Sequence, residues 1–151
     1  MLNYEDIAFH WVNRLGFVIR KELAARFQAA GFDVSPEEWA ILLVLWSKGP
    51  KGTGALAEVT IKDRTTVTRL IDTMVRKDIV TRAGDPTDRR RSVVMPTEHG
   101  MALKDQLIPI AKDLIAQAQA DIPLQDLETT TRTLRALTGN LVDANNPERA
   151  E

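Results

Sequence analysis

The chain has no cysteine in its 151 residues, so it can hold no disulfide, thiolate nucleophile, thiol redox switch or sulfur-ligated zinc. A reducing cytoplasm fits that composition and is the expected compartment. Histidine is nearly as scarce. His10 and His99 stand far apart, with no His-x-x-x-His spacing and no flanking pair of carboxylates, which leaves no candidate metal site, cofactor site or acid–base pair. No catalytic residue is therefore assigned, and an enzyme is not expected. Long apolar runs are absent too: none approaches the ~18 consecutive residues that a membrane span needs. Residues 1–6 carry acid rather than a basic leader, so a soluble, unprocessed protein without membrane contact is expected.

What is present suits one ordinary domain, with 44% of residues apolar and 27% charged, enough to bury a core unaided. The formal net charge of -1 conceals an asymmetry. Between Lys48 and Arg91 the chain carries eleven basic and six acidic residues, a net +5, while the remainder carries -6. A basic middle between acidic ends is the electrostatic footprint expected of a nucleic-acid-binding module on a flanking scaffold, although charge alone would suit a solvated face as well.

Apolar residues recur at Ile7, Trp11, Leu15, Val18, Ile19, Leu23 and Phe27, which predicts a long amphipathic helix over residues 5–30 ended by Gly31. Ser35-Pro36-Glu37-Glu38 reads as a capping box with proline at the first helical position. The helix it opens should turn Trp39, Leu42, Leu43 and Trp46 inward and stop at Gly49-Pro50. A short helix over 55–59 follows, and Asp63 caps the next, whose core-facing set is Val67, Leu70, Ile71 and Met74. Two alternating runs, 79–82 and 92–95, flank the turn-rich Gly84-Asp85-Pro86-Thr87-Asp88 and predict a hairpin with a basic tip. Thr97 caps a long helix to Gln119 with Leu103, Leu107, Ile110, Leu114 and Ile115 as its stripe. A last helix carries Leu127, Leu134 and Leu141 at heptad spacing, and residues 145–151 read as a frayed tail.

The two helices joined by Thr60-Ile61-Lys62-Asp63 have the size of a helix-turn-helix. The second presents Arg64, Thr65, Thr66, Thr68 and Arg69 outward near its N-terminal end, where a recognition helix meets base edges. Arginine can pair with guanine, and threonine can donate, accept or touch a thymine methyl. Taken alone, that face reads equally well as a solvated helix surface. The hairpin tip favours the first reading, because Arg89, Arg90 and Arg91 repel one another unless an anion or a carboxylate such as Asp88 relieves them. A narrow minor groove is such an anion.

The stretches Leu56-Ala57, Thr66-Val67-Thr68-Arg69-Leu70-Ile71-Asp72, Asp85-Pro86-Thr87-Asp88-Arg89-Arg90-Arg91 and Pro96-Thr97-Glu98-His99-Gly100 resemble the MarR (multiple antibiotic resistance regulator) family. The resemblance runs from about Glu5 to Leu141. It implies a mainly helical fold with a small β-hairpin wing: a winged helix-turn-helix lobe over 35–96, flanked by dimerisation helices over 1–30 and 97–145. It also implies that Arg90 enters the minor groove with Asp88 as its orienting partner, that the residues from Arg64 to Arg69 read the major groove, and that both chain ends form a homodimer. The chain departs from the family at the turn, where Ile61 replaces the usual glycine and Lys62 a common apolar residue.

The functional expectation is a homodimeric transcription regulator, a repressor, bound to double-stranded DNA at an inverted repeat and released by a small aromatic or anionic effector. His10 and Arg14, one helical turn apart, would meet the anion, with Trp11, Trp39 and Leu43 as apolar walls. The plainer reading makes His10 and Arg14 polar neighbours of a packed tryptophan. The alternative function is a winged-helix module that uses its basic face for an acidic protein partner and binds no specific DNA sequence.

Overall fold

The computed structural model describes residues 1–60 and 62–144. The expectations placed on Ile61 in the turn and on the tail from Asn145 lie outside the described residues. Helices α1 (Ala8–Ala29), α2 (Pro36–Lys48), α3 (Thr53–Thr60) and α4 (Arg64–Arg76) are followed by strands β1 (Val80–Gly84) and β2 (Ser92–Pro96), then by α5 (Glu98–Ala118) and α6 (Leu124–Ala144). The protein is thus mainly helical with one small hairpin among the described residues. None of these helices is long and apolar enough to cross a membrane.

The helix boundaries follow local chemistry. Extended Ile7 separates a short 3-10 turn, Tyr4–Asp6, from α1, so the helix starts three residues later than its apolar pattern suggests. Gly31, at a φ of 87°, supplies the left-handed residue just past its end. At α2 the Ser35 hydroxyl accepts from the Glu38 N–H while the Glu38 carboxylate accepts from the Ser35 N–H, completing the capping box. Helix α3 extends beyond its expected bounds at both ends, because the backbone of Gly52 already accepts from the Leu56 N–H. Asp63 caps α4 by accepting from the Thr66 N–H at 2.8 Å.

Strands β1 and β2 pair antiparallel with Val80 opposite Pro96, Arg82 opposite Val94 and Gly84 opposite Ser92. Val94 also exchanges both backbone bonds with Lys51, at 2.7 and 3.1 Å, so the segment between α2 and α3 covers the free edge of the hairpin. Asp78, at a φ of 58°, turns the chain from α4 into β1. There the Thr97 hydroxyl donates to the Asp78 carbonyl and accepts from the Gly100 N–H, tying the hairpin to the start of α5. Gly100 is needed at this crossing, since a Cβ would collide with the Ile79 carbonyl.

The described residues fall into two compact units, residues 1–114 and the chain from 115 onward. The first holds the core: Leu23 and Phe27 of α1, Ile41, Leu42 and Leu45 of α2, Leu56 of α3, Val67, Ile71 and Met74 of α4, Val80 and Val94 of the hairpin, and Leu103 and Leu107 of α5. Leu43 was expected inward but is 40% exposed; the buried face of α2 centres on Ile41, Leu42 and Leu45, with Trp39 and Trp46 half-buried at its edges. The Trp39 ring meets Phe27 at a tilt and Trp46 edge-on, and Trp46 Nε1 donates to the Gly100 carbonyl at 3.1 Å. Only the last turns of α1 are buried, and Trp11, Leu15, Val18 and Ile19 of its apolar stripe face outward. In the second unit Ile115 is exposed, contrary to the predicted stripe of α5, and Leu134 and Leu141 of α6 are exposed as well.

Candidate nucleic-acid interface

Helix α4 separates its two faces sharply. Val67, Ile71 and Met74 are fully buried, so at 100° per residue Thr65, Thr68 and Arg69 must face solvent, as they do. Their side chains have no hydrogen-bond or ion-pair partner among the described residues. Two other members of the expected reading set are partly engaged. Thr66 donates its hydroxyl to Asp63 Oδ2 at 2.7 Å, which leaves its methyl and an oxygen lone pair for other contacts. The Arg64 guanidinium lies against Gly54 of α3, where a Cβ would displace it.

The tip of the hairpin is built by its two aspartates. Asp85 Oδ1 accepts from the backbone N–H of Thr87 at 2.9 Å and from its hydroxyl at 2.8 Å. These bonds, the backbone one foremost, hold the Asp85 carboxyl below its ordinary pKa. Asp88 Oδ1 accepts from the Arg90 N–H at 3.0 Å, and the Asp88 carbonyl accepts from the Arg91 N–H at 3.1 Å. Asp88 therefore orients the Arg90 backbone, whereas its ion pair, at 3.7 Å, goes to Arg91 Nε. The exposed guanidinium groups of Arg89 and Arg90 have no such partner among the described residues. Two unneutralised cations consequently stand on a loop whose backbone is fixed by carboxylates.

The link between the helix and the hairpin was not legible from the sequence. Arg82 of β1 donates to Asp72 Oδ1 of α4 at 2.5 Å, with both side chains partly exposed. Asp72 lies about one turn beyond Arg69 on the outer side of α4, and only the folded hairpin supplies its partner. The bond takes a negative charge off the solvent side of α4 and ties α4 to the strand that leads into the tip. Being partly exposed it adds little stability, and its effect is mainly on position.

The residues grouped as an effector site are only partly brought together. His10 and Arg14 line a cleft of about 350 Å³ on α1 with Asn13, Phe17 and Val18. Trp11 is absent from that lining; its indole N–H donates to the Glu5 carbonyl at 2.9 Å, and its ring meets His10 edge-on. Trp39 belongs to the ring cluster with Phe27 and Trp46, and Leu43 lies on the exposed side of α2. Among the described residues, no group of three or more His, Asp or Glu side chains is arranged to hold a metal ion.

A sequence model of the MarR family matches residues 34–92, the stretch from the start of α2 through the hairpin tip. The chain is 29% identical over 115 residues to the HTH-type transcriptional repressor NicR of Pseudomonas putida, covering 73% of each protein. Its fold is similar to the crystal structure of a MarR family transcriptional regulator from Silicibacter pomeroyi, with a TM-score of 0.77, 25% identity and coverage of 91% and 92% of the two chains. It is also similar to Bordetella bronchiseptica BpsR, whose structure is described as explaining regulation of DNA binding by 6-hydroxynicotinic acid; there the TM-score is 0.80, with 17% identity and coverage of 91% and 97%.

Proposed function

Since the chain belongs to the MarR family of winged helix-turn-helix transcriptional regulators, we propose that it is a homodimeric repressor that reads an inverted-repeat operator and is released by a small aromatic or anionic effector. DNA binding in transcriptional regulation is the function at the family level. The finer reading rests on one observation: the unpaired cations and hydroxyls lie on two elements, α4 and the hairpin tip, tied to each other by Asp72 and Arg82. In this reading Arg69, Thr65 and Thr68, with Arg64 and Thr66 beside them, meet base edges in the major groove, while Arg89 and Arg90 enter the minor groove from a tip shaped by Asp88. Residues 35–96 form the DNA-binding lobe, and 1–30 with 97–145 form the dimer, whose two-fold axis sets half-sites about one helical turn apart.

The two cationic elements act differently, which provides the test. Arg90→Ala is expected to weaken binding across all sequences and to lower the salt slope by about one, because the side chain neutralises phosphate and responds to groove potential. Arg69→Ala should instead change which base pairs are preferred, at a cost of about 1–3 kcal/mol per paired contact. Affinity measured at several salt concentrations against a randomised operator library separates the two effects. An unchanged salt slope and affinity in Arg90→Ala removes the wing assignment. Equal binding to every sequence favours the protein-interaction alternative.

For the effector, the cleft at His10 and Arg14 offers a cation beside Phe17 and Val18, the chemistry that suits an aromatic carboxylate. BpsR, regulated by 6-hydroxynicotinic acid, supports this ligand class. A ligand can release DNA only by favouring one arrangement of the two reading heads over the other. Aromatic acids are therefore expected to raise the melting temperature and compete with DNA, and Arg14→Ala should weaken the acid more than the DNA. A panel in which no acid does both rules the effector out.

A further inference from the structure

Helix α3 carries a glycine in its first turn, Gly54, directly after the Thr53 that opens the helix. Glycine weakens a helix relative to alanine, and Gly54 has no left-handed φ that would call for it. What the missing side chain provides is room for Arg64. A Cβ at this position would collide with Arg64 Nη2 and come within 3.1 Å of Cζ and 3.3 Å of Nε, so the three atoms nearest to that point all belong to the guanidinium. The first residue of α4 thus lays its planar head on the first turn of α3, across the turn of the helix-turn-helix.

The contact holds a cation in place without neutralising it. The Arg64 guanidinium has no hydrogen-bond or ion-pair partner among the described residues, and both carboxylate oxygens of the neighbouring Asp63 accept from Thr66 instead. Arg64 stays exposed above a half-buried glycine. In a helix-turn-helix the second helix enters the major groove while the first crosses the phosphate backbone. A guanidinium laid on the first helix therefore lies with the backbone rather than with base edges, and its fixed fork suits two oxygens of one phosphate. We infer that Gly54 is a positioning residue: it seats Arg64 on α3 so that the guanidinium clamps a DNA phosphate, with fewer rotamers to lose on binding than a free arginine has. The inference rests on the DNA-binding reading and refines it at one residue, moving Arg64 from the base edges to the backbone while Arg69, Thr65 and Thr68 remain the readers.

Gly54→Ala isolates the seat. It adds one methyl group whose nearest neighbours are the movable atoms of a guanidinium, and it favours the helix, so the melting temperature should hold or rise. Binding is read by fluorescence anisotropy across a range of salt on a duplex that the wild type enriches from a randomised library, and base preference is read on the library itself. Arg64→Ala should weaken binding about tenfold, lower the salt slope by about one and leave the preferred base pairs unchanged. Gly54→Ala should weaken binding about threefold or more in the wild type and have no effect in the Arg64→Ala background. Gly54→Ser, which adds a Cβ as well, should behave as Gly54→Ala does. Wild-type binding by Gly54→Ala, a loss that persists without Arg64, or a changed base preference in Arg64→Ala would each overturn the inference. Arg90→Ala, measured alongside, keeps the two readings apart. If it lowers the salt slope and Arg64→Ala does not, DNA binding stands and this inference falls, whereas a wild type that binds no duplex removes both.

Discussion

Lys77→Met is expected to destabilise the fold by about 3 kcal/mol, far more than the loss of a surface lysine, because it strands a buried carboxylate. The side chain of Glu38 is 3% exposed and that of Lys77 25%, and the two meet at 2.9 Å. The bond joins the first turn of α2 to the C-terminal end of α4, so its loss is felt between two helices of the core. Replacing both partners removes the uncompensated charge: Lys77→Met combined with Glu38→Met should recover most of the deficit, less about 1 kcal/mol for the lost capping box. Urea denaturation at one fixed protein concentration measures both variants. A double variant no more stable than the single one would show that the pair is not the cause.

The same pair predicts an alkaline limit. Burial disfavours the charge on Lys77, yet hydrogen bonding and attraction from Glu38, and then from Asp33, outweigh it and raise the pKa above 10.5. A folded-state pKa above the unfolded one means that the stabilisation is fully present below 10.5 and is lost as pH rises through the raised value. The wild type should therefore lose stability in that window, and Lys77→Met should lose none there. At the acid end the sign reverses. The bonds from Thr66 to Asp63 and from Thr87 to Asp85 hold both carboxyls below 3.8, so the α4 cap and the hairpin tip keep their order until pH falls through those lowered values.

These contacts mark the boundary of what the sequence made legible. Caps are local, so the Ser35–Glu38 box and Asp63 alone identified two helix starts, and the folded chain adds the bond from the Thr66 N–H to Asp63. The α4 face was equally readable, because one residue type lies on each side of a strongly amphipathic helix. On α2 the inward set Trp39, Leu42, Leu43 and Trp46 read from the sequence is rotated by part of a turn from the buried face, and of its members Leu42 alone is fully buried. Large indoles with a polar N–H settle at the edge of a core, where Trp46 reaches the Gly100 carbonyl, and the centre falls to Ile41, Leu42 and Leu45. Glu38 was visible as a capping residue but not as a buried charge, and Asp72 as polar but not as paired. Their partners Lys77 and Arg82 come from separate elements, and only the folded chain brings them within reach.

Substituting Leu15→Glu together with Val18→Glu is expected to convert the protein to a folded monomer and to weaken operator binding by about a hundredfold or more. Phe9, Trp11, Leu15, Phe17 and Val18 are each 49% exposed or more, although they continue the helix that buries Leu23 and Phe27. A run of large apolar side chains of that extent is the kind of patch that marks an interface, and the proposed dimer uses this segment. Two reading heads joined in one particle bind an inverted repeat with the second contact made intramolecular, and a monomer loses that advantage without losing any residue that touches DNA. The core of residues 1–114 draws on α1 only through its last turns, so the lobe should keep its circular dichroism and its binding to a single half-site. Sedimentation velocity and operator titration read the two effects together. A variant that still sediments with wild-type mass and binds the full operator with wild-type affinity would place the dimer contact elsewhere.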